Sequence, residues 1–424
     1  MTARREIAAA LKVATTAVLA ALVCAPAASA AAQQRYEAGT VIVKYADRAP
    51  AAKRSLAART AGVLRTVGRI RGVGAQLVRV TGDPAAVAAR LNRSSAVVYA
   101  EPNYIMRRAA IPDDPRFAQQ YGLHNTGQSG GVPDADIDAP EGWAAAGLGA
   151  FPATGAGATI GIIDTGIASA HEDLAGKVVA CGGVRSFGLN LLGLLSLLDD
   201  PAVVGGRCTD DNGHGTHVAG IAAARANNGR GIAGVSFASP LAVCKALDGG
   251  GGGAIAGIAN CIAYLGGQGA RVISMSLGGP RSETLAAAVA AATADGALLV
   301  AAGGNSGGTA LNYPASYPQV VSVAAVDRRG ARARFSNANA DVEVAAPGVD
   351  IVSTWSRGYR MLSGTSMATP HVAGVAAIIA ARDPAGGPAA WRAKLASAVD
   401  DLGAAGRDPQ FGFGRVNLEK AVAP

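Results

Sequence analysis

Beyond residue 111 the chain alternates short, mostly apolar runs with alanine-rich stretches of helical length. Residues 158–163 (ATIGII), 241–247, 272–275, 298–302 and 320–323 have strand length. Residues 217–226, 254–265 and 285–295 suit helices between them. Strands apolar on both faces and separated by helices predict a parallel sheet covered on both sides. Ligands of such sheets bind beyond the carboxyl ends of the strands, so the residues that follow each strand matter most.

Residues 31–110 read differently. Strand-like runs at 40–45 (TVIVKY), 74–80 (GAQLVRV) and 97–100 alternate with helical stretches at 49–61 and 83–92. That order predicts a small, independent α/β sandwich. Before it, residues 1–30 have the form of a secretory signal. Arg4, Arg5 and Lys12 form a basic front, residues 13–25 an apolar stretch short for a bilayer, and Ala28-Ser29-Ala30 a small-x-small cleavage pattern. Val23 before Cys24 is too bulky for lipid attachment, so no stable membrane anchor is expected. The leucine-rich residues 189–198 (LNLLGLLSLL) are too short to span a membrane and suit a buried hairpin or helical insert.

Composition sharpens this picture. The 57 glycines among 424 residues are nearly twice the usual share of about 7%, and charged residues are only 16%. Such a chain can build a large, closely packed core. The net charge of +8 is unevenly spread: residues 31–110 hold 14 Lys/Arg against 4 Asp/Glu, whereas 111–424 hold 21 against 25. Nearly all the basicity lies outside the larger domain, which argues against a nucleic-acid partner. If Cys24 leaves with the signal, Cys181, Cys208, Cys244 and Cys261 remain. An even number in an exported chain implies disulfides, with three possible connectivities. The local pairs Cys181–Cys208 and Cys244–Cys261 close the most modest loops and are expected. No CxxC pair points to zinc.

Three blocks carry candidate chemistry. Asp164 follows directly on the run 158–163. His214 stands in Asn212-Gly213-His214-Gly215-Thr216-His217 at the mouth of a helix, and Ser366 stands in Gly364-Thr365-Ser366-Met367-Ala368 at the start of another. A serine hydroxyl is a weak nucleophile until an imidazole takes its proton, and the imidazole needs a buried carboxylate to fix its tautomer. The helix start after Ser366 would turn free N–H groups towards a developing oxyanion. Singly, each block reads as a turn, a cap or a packed residue. Together, in the order Asp, His, Ser, they define a nucleophilic site.

On these blocks the chain resembles the subtilisin-like serine proteases (subtilases, peptidase family S8) across residues 31–424. The resemblance implies a mostly parallel sheet flanked by helices in three layers, preceded by a small α/β-sandwich pro-domain. It implies three parts: signal 1–30, inhibitory pro-segment 31–110 and catalytic domain 111–424. Asp164, His214 and Ser366 become orienting acid, general base and nucleophile, and Asn305 in Gly303-Gly304-Asn305-Ser306-Gly307 the side-chain donor to the oxyanion. Ser276, Leu277 and Gly278 resemble one wall of the primary specificity pocket. The run Gly249–Gly253, with Gly249, Gly250 and Gly251 as its named contacts, resembles the edge that pairs with an extended peptide.

Asp173, nine residues after Asp164, resembles a structural calcium ligand, with Asn228 and Asp114 completing the oxygen-rich site. His214 and His217 lie three apart, but HExxH is absent and no catalytic metal is expected. The pro-segment's positive charge against the negative catalytic domain favours docking as an intramolecular inhibitor and folding aid, removed by the enzyme itself between about Tyr104 and Asp114. The expected product is a soluble, secreted, monomeric endopeptidase acting on proteins or peptides. An inactive homologue used as a binding module conflicts with the intact Asp164, His214, Asn305 and Ser366. An α/β-hydrolase esterase conflicts with the order of the triad and with Ala368 where GxSxG needs glycine.

Overall fold

The structure, a computed structural model, describes residues 36–104, 111–149, 157–184 and 202–423. The signal-like residues 1–30 and the leucine-rich 189–198 lie outside the described residues. The chain divides into two compact units, Met1–Arg107 and Arg108–Pro424.

The first unit runs β1 (Tyr36–Tyr45), α1 (Ala51–Ala61), β2 (Val63–Ile70), β3 (Ala75–Val80), α2 (Pro84–Leu91) and β4 (Val97–Tyr104). Its strands form one antiparallel sheet in the order β2-β3-β1-β4. Val41, Val43, Val78, Val87 and Leu91 are its buried core. The Asp83 carboxylate caps α2 by accepting from the Ala86 N–H at 2.9 Å, with Pro84 at the first position where no N–H is needed. Strand β2 was not anticipated from the sequence. It is largely exposed and interrupted by Arg65, Gly68 and Arg69, so no apolar alternation marks it.

The second unit begins with α3 (Ala139–Ala145), β5 (Ile160–Asp164), β6 (Val178–Val184), β7 (Val203–Gly205), α4 (His214–Ala223) and β8 (Leu241–Lys245). It continues through α5 (Ile255–Gly267), β9 (Val272–Met275), α6 (Glu283–Ala294), β10 (Leu298–Ala302), β11 (Val320–Val326) and β12 (Val342–Pro347). It ends with β13 (Ile351–Thr354), β14 (Tyr359–Leu362), α7 (Thr365–Arg382), α8 (Gly387–Ser397), β15 (Val399–Asp400), β16 (Arg415–Val416) and α9 (Leu418–Val422). The main sheet has the order β15-β16-β12-β11-β10-β9-β5-β8-β6-β7, and its strands from β12 to β6 all run parallel. This is the mostly parallel, three-layer architecture expected.

Period-two alternation builds both cores. Ile160, Ile162, Val243, Val272 and Val300 face α4 and α7 on one side, while Ile163, Cys244, Ile273, Met275 and Leu299 face α5 and α6 on the other. Helix α7 is buried almost all round, from Thr365 to Ala380. Glycines bring it and α4 close to their neighbours. A Cβ on Gly374 would lie 2.5 Å from the Val235 Cβ, and one on Gly220 2.3 Å from the Thr354 Oγ1. The two expected disulfides form, Cys181–Cys208 and Cys244–Cys261, with Cα separations of 5.4 and 5.6 Å. Among the described residues no helix is long and apolar enough to cross a membrane.

Candidate active site

Strand order reverses around β5: β8 and β6 lie to one side, β9 to β12 to the other. The crevice at such a switch point is where a parallel sheet presents its chemistry. Register places Asp164 beside Lys245 and Ile163 beside Met275. Asp164, Ser276 just after β9 and Asn305 three residues beyond β10 therefore share one end of the sheet. Helices α4 and α7 begin at that end, carrying His214 and Ser366.

His214 Nδ1 lies 2.7 Å from Asp164 Oδ1. The same oxygen accepts the Thr165 N–H at 2.7 Å, and Asp164 is fully buried, its Oδ2 without a hydrogen-bond partner among the described residues. A buried carboxylate at this distance acts strongly on the imidazole. Burial acts to lower the His214 pKa, but the charge and hydrogen bond of Asp164 and the charge of Asp210 outweigh it and raise the value above the ordinary one.

Asp210 was not singled out from sequence, although it stands four residues before His214. Its carboxylate accepts from the Thr165 and Thr216 hydroxyls and from the N–H groups of Asn212, Gly213 and Thr216. Burial would push it up; these hydrogen bonds hold it below the usual carboxylate range. It shapes the loop that delivers His214. Gly213 caps α4 at a left-handed φ of 107°, and a Cβ there would lie 2.4 Å from the Trp355 ring, so glycine is needed twice over. His217 points elsewhere. Its Nε2 meets the carbonyls of Ile351 at 3.1 Å and Arg360 at 3.0 Å, and burial lowers its pKa to about 4, so it stays neutral and holds β13 and β14 against α4.

Ser366 and Ser276 exchange hydrogen bonds. The Ser276 hydroxyl donates to the Ser366 carbonyl at 2.8 Å, and the Ser366 hydroxyl donates to the Ser276 carbonyl at 3.3 Å. The first bond has a sequence cause. Pro370, four residues after Ser366, has no N–H for the Ser366 carbonyl, and Ser276 supplies the missing donor. Asn305 is oriented by Thr365, whose N–H and hydroxyl both donate to its Oδ1 at 2.9 Å, leaving Nδ2 to donate outward. A methyl placed on Gly364 would lie 3.6 Å from both Asn305 Nδ2 and Ser366 N. Both donors thus border one small space beside Ser366, an arrangement able to hold an oxyanion.

A cleft of about 510 Å³ runs from His214 along Ser276, Leu277 and Gly278 and past Gly251 to Gly253, with Leu247, Ile258 and Leu285 as apolar walls. The segment after Ser276 is braced by paired backbone bonds between Gly279 and Tyr313 at 2.9 and 3.1 Å. Gly249 and Gly250 do not line the cleft. They belong to the turn capped by Asp248, and the Gly249 carbonyl accepts from the Asn212 side chain at 2.9 Å.

The remaining expected residues also meet. Asp114 and Asp173 are 3% and 0% exposed. Asp114 accepts from the N–H groups of Asn227 and Asn228, at 2.7 and 3.1 Å. Asp173 accepts from the Asn228 side chain, the Ile232 N–H and the Tyr359 hydroxyl, at 3.0, 3.0 and 2.9 Å. Neither forms a salt bridge among the described residues. Burial raises both carboxyls, Asp114 to about 6, where the Asp173 charge adds to the rise. Asn228 thus links the two buried carboxylates, through its N–H to Asp114 and its side chain to Asp173.

The fold and this site define a serine endopeptidase. A model of the subtilase family (peptidase S8) matches residues 155–414, and the chain belongs to that family. A model of the fervidolysin N-terminal prodomain matches residues 25–103, so the chain carries a pro-segment. Thermophilic serine proteinase of Bacillus sp. (strain AK1) is 37% identical over 393 residues, covering 91% of this chain and 88% of that protein. Thermitase of Thermoactinomyces vulgaris is 41% identical over 314 residues, covering 73% of this chain and 99% of that protein. Among solved structures, S41 psychrophilic protease aligns with a TM-score of 0.56 at 34% identity, covering 62% of this chain and 92% of that one.

Proposed function

We propose that the protein is exported as a zymogen, with signal 1–30, pro-segment 31–110 and catalytic domain 111–424. The catalytic domain hydrolyses peptide bonds through Asp164, His214 and Ser366. The observation that carries this reading is the 2.7 Å contact between His214 Nδ1 and the buried Asp164 Oδ1. That contact fixes the proton on Nδ1 and leaves Nε2 free as the base. The Ser366 hydroxyl gives its proton to Nε2 as it attacks the scissile carbonyl, whose oxygen becomes negative against Asn305 Nδ2 and Ser366 N–H. The imidazolium, stabilised by Asp164 and more remotely by Asp210, then protonates the leaving amine. Water repeats the sequence on the acyl-enzyme.

Ser276, Leu277 and Gly278 offer one wall to the peptide and Gly251 to Gly253 the other. Pairing by backbone suits broad specificity. The pro-segment, basic where the catalytic domain is acidic, serves as folding aid and inhibitor before the enzyme removes it. Two disulfides suit a secreted location. A fluorophosphonate probe should modify the mature enzyme at a single residue, located by peptide mass spectrometry as Ser366. Labelling elsewhere, or none, would remove this reading.

Asp114, Asp173 and Asn228 would hold a calcium ion, which supplies charge neutralisation and rigidity and takes no part in the chemistry. Chelation should lower the thermal midpoint by roughly 5–10 °C, as expected when a ligand held well above its dissociation constant is withdrawn. Asp173→Asn should abolish that response in calorimetry. An unchanged midpoint in wild type after chelation would exclude the site.

A further inference from the structure

We propose that the β13–β14 hairpin carries a subsite for an acidic side chain on the leaving-group side of the substrate, with Arg360 as its specificity-determining residue. This rests on the proteolytic reading above. On that reading the cleft along Ser276, Leu277 and Gly278 takes the acyl side of the substrate, and none of its lining comes from the hairpin. The hairpin instead adjoins His214 through Gly213, against which the Trp355 ring packs, and β14 leads into Ser366 within four residues. Because His214 hands its proton to the departing amine, a surface beside His214 and outside the acyl cleft meets the peptide that departs.

That surface is cationic and ordered. The Arg360 guanidinium stacks 4.6 Å from the Trp355 ring centroid. The Arg360 carbonyl is held by His217, and Trp355 N–H donates to the Gly358 carbonyl at 2.8 Å, closing the turn. Arg360 and Arg357 are both exposed, and neither has a carboxylate partner among the described residues. An arginine held on an aromatic face has lost part of its conformational freedom in advance. It keeps its N–H fork for a carboxylate.

The test uses quenched peptides with one acyl side and Glu, Gln or Lys at the first or second residue after the scissile bond. A nitroanilide with the same acyl side, and nothing beyond the bond, reads proteolysis alone. Wild type should prefer Glu over Gln by about 5-fold in kcat/KM at low salt, the size of a good exposed ion pair. The preference should fade towards unity near 1 M salt. Arg360→Gln should bring the Glu/Gln ratio close to one, and Arg360→Glu should favour Lys. Each ratio is read within one enzyme, so a partly folded variant still reports. A wild-type ratio of one at either position, a ratio that survives high salt, or one retained in Arg360→Gln would overturn the proposal. No cleavage of the nitroanilide would instead bring down the proteolytic reading, and this proposal with it.

Discussion

Replacing Ser366 by alanine is expected to lower kcat about 10⁶-fold and to leave the pro-segment covalently attached. The size is that of nucleophile loss in triads of this family, carried over to this chain. The geometry explains why nothing substitutes. Ser276, whose hydroxyl lies beside the Ser366 backbone, is buried and committed to the Ser366 carbonyl that Pro370 leaves without a donor, so it cannot turn to attack. The alanine variant also separates self-processing from processing by another protease. Purified without added protease, it should run on a denaturing gel at the length of the uncut chain, whereas wild type shortens by its pro-segment. Loss of the segment from the variant would refute self-cleavage while leaving the hydrolytic site untouched.

The second large effect is expected from Asp164→Asn, which should reduce kcat/KM about 10⁴-fold with little change in fold. Asp164 Oδ1 receives both His214 Nδ1 and the Thr165 N–H, and Oδ2 has no partner among the described residues. An amide there carries no charge for the imidazolium, and its NH₂ turned towards Nδ1 selects the wrong tautomer. The pH profile provides a second readout. The free enzyme needs neutral His214, so wild-type kcat/KM should rise with pH through an apparent pKa above the ordinary histidine value of about 6.5. Asp164 raises that pKa, so the variant's rise should move to lower pH while its plateau falls. An inflection at the wild-type pH in the variant would show that Asp164 does not govern the imidazole.

The parts of this molecule legible in its sequence are those whose physics is local. Strands β9 and β10 lie where the apolar runs 272–275 and 298–302 placed them, because a strand buried on both faces needs no polar residue. The short strands β13 to β16 and the ribbon partner β7 carry mixed or very short patterns and went unread. Helix α4 starts three residues earlier than expected, at His214. Asp210 gathers the preceding loop and Gly213 caps the helix, and neither influence shows in hydrophobic period. The same distinction holds within the site. Asp164, His214, Ser366 and Asn305 stand out because each sits in a glycine-flanked block, and the structure gathers them at one end of the sheet. Asp210 acts on the backbone of its own loop and on the distant Thr165 hydroxyl, and Thr365 on the Asn305 amide far off in sequence, and neither role leaves a motif. The run Gly249–Gly253 reads as the peptide edge by resemblance; Asp248 folds its first residues into a turn, so that Gly251 to Gly253 alone line the cleft.

The tight seating of α4 and α7 has a consequence for how this enzyme can evolve. At Gly220 and Gly374 the absence of a side chain is itself the packing element, so even the smallest replacement drives a methyl into a neighbour. Most single-base changes in a glycine codon install a side chain. Lineages of this enzyme should therefore hold these inconspicuous positions almost as firmly as the reacting groups, and explore new substrates through the loops that border the groove.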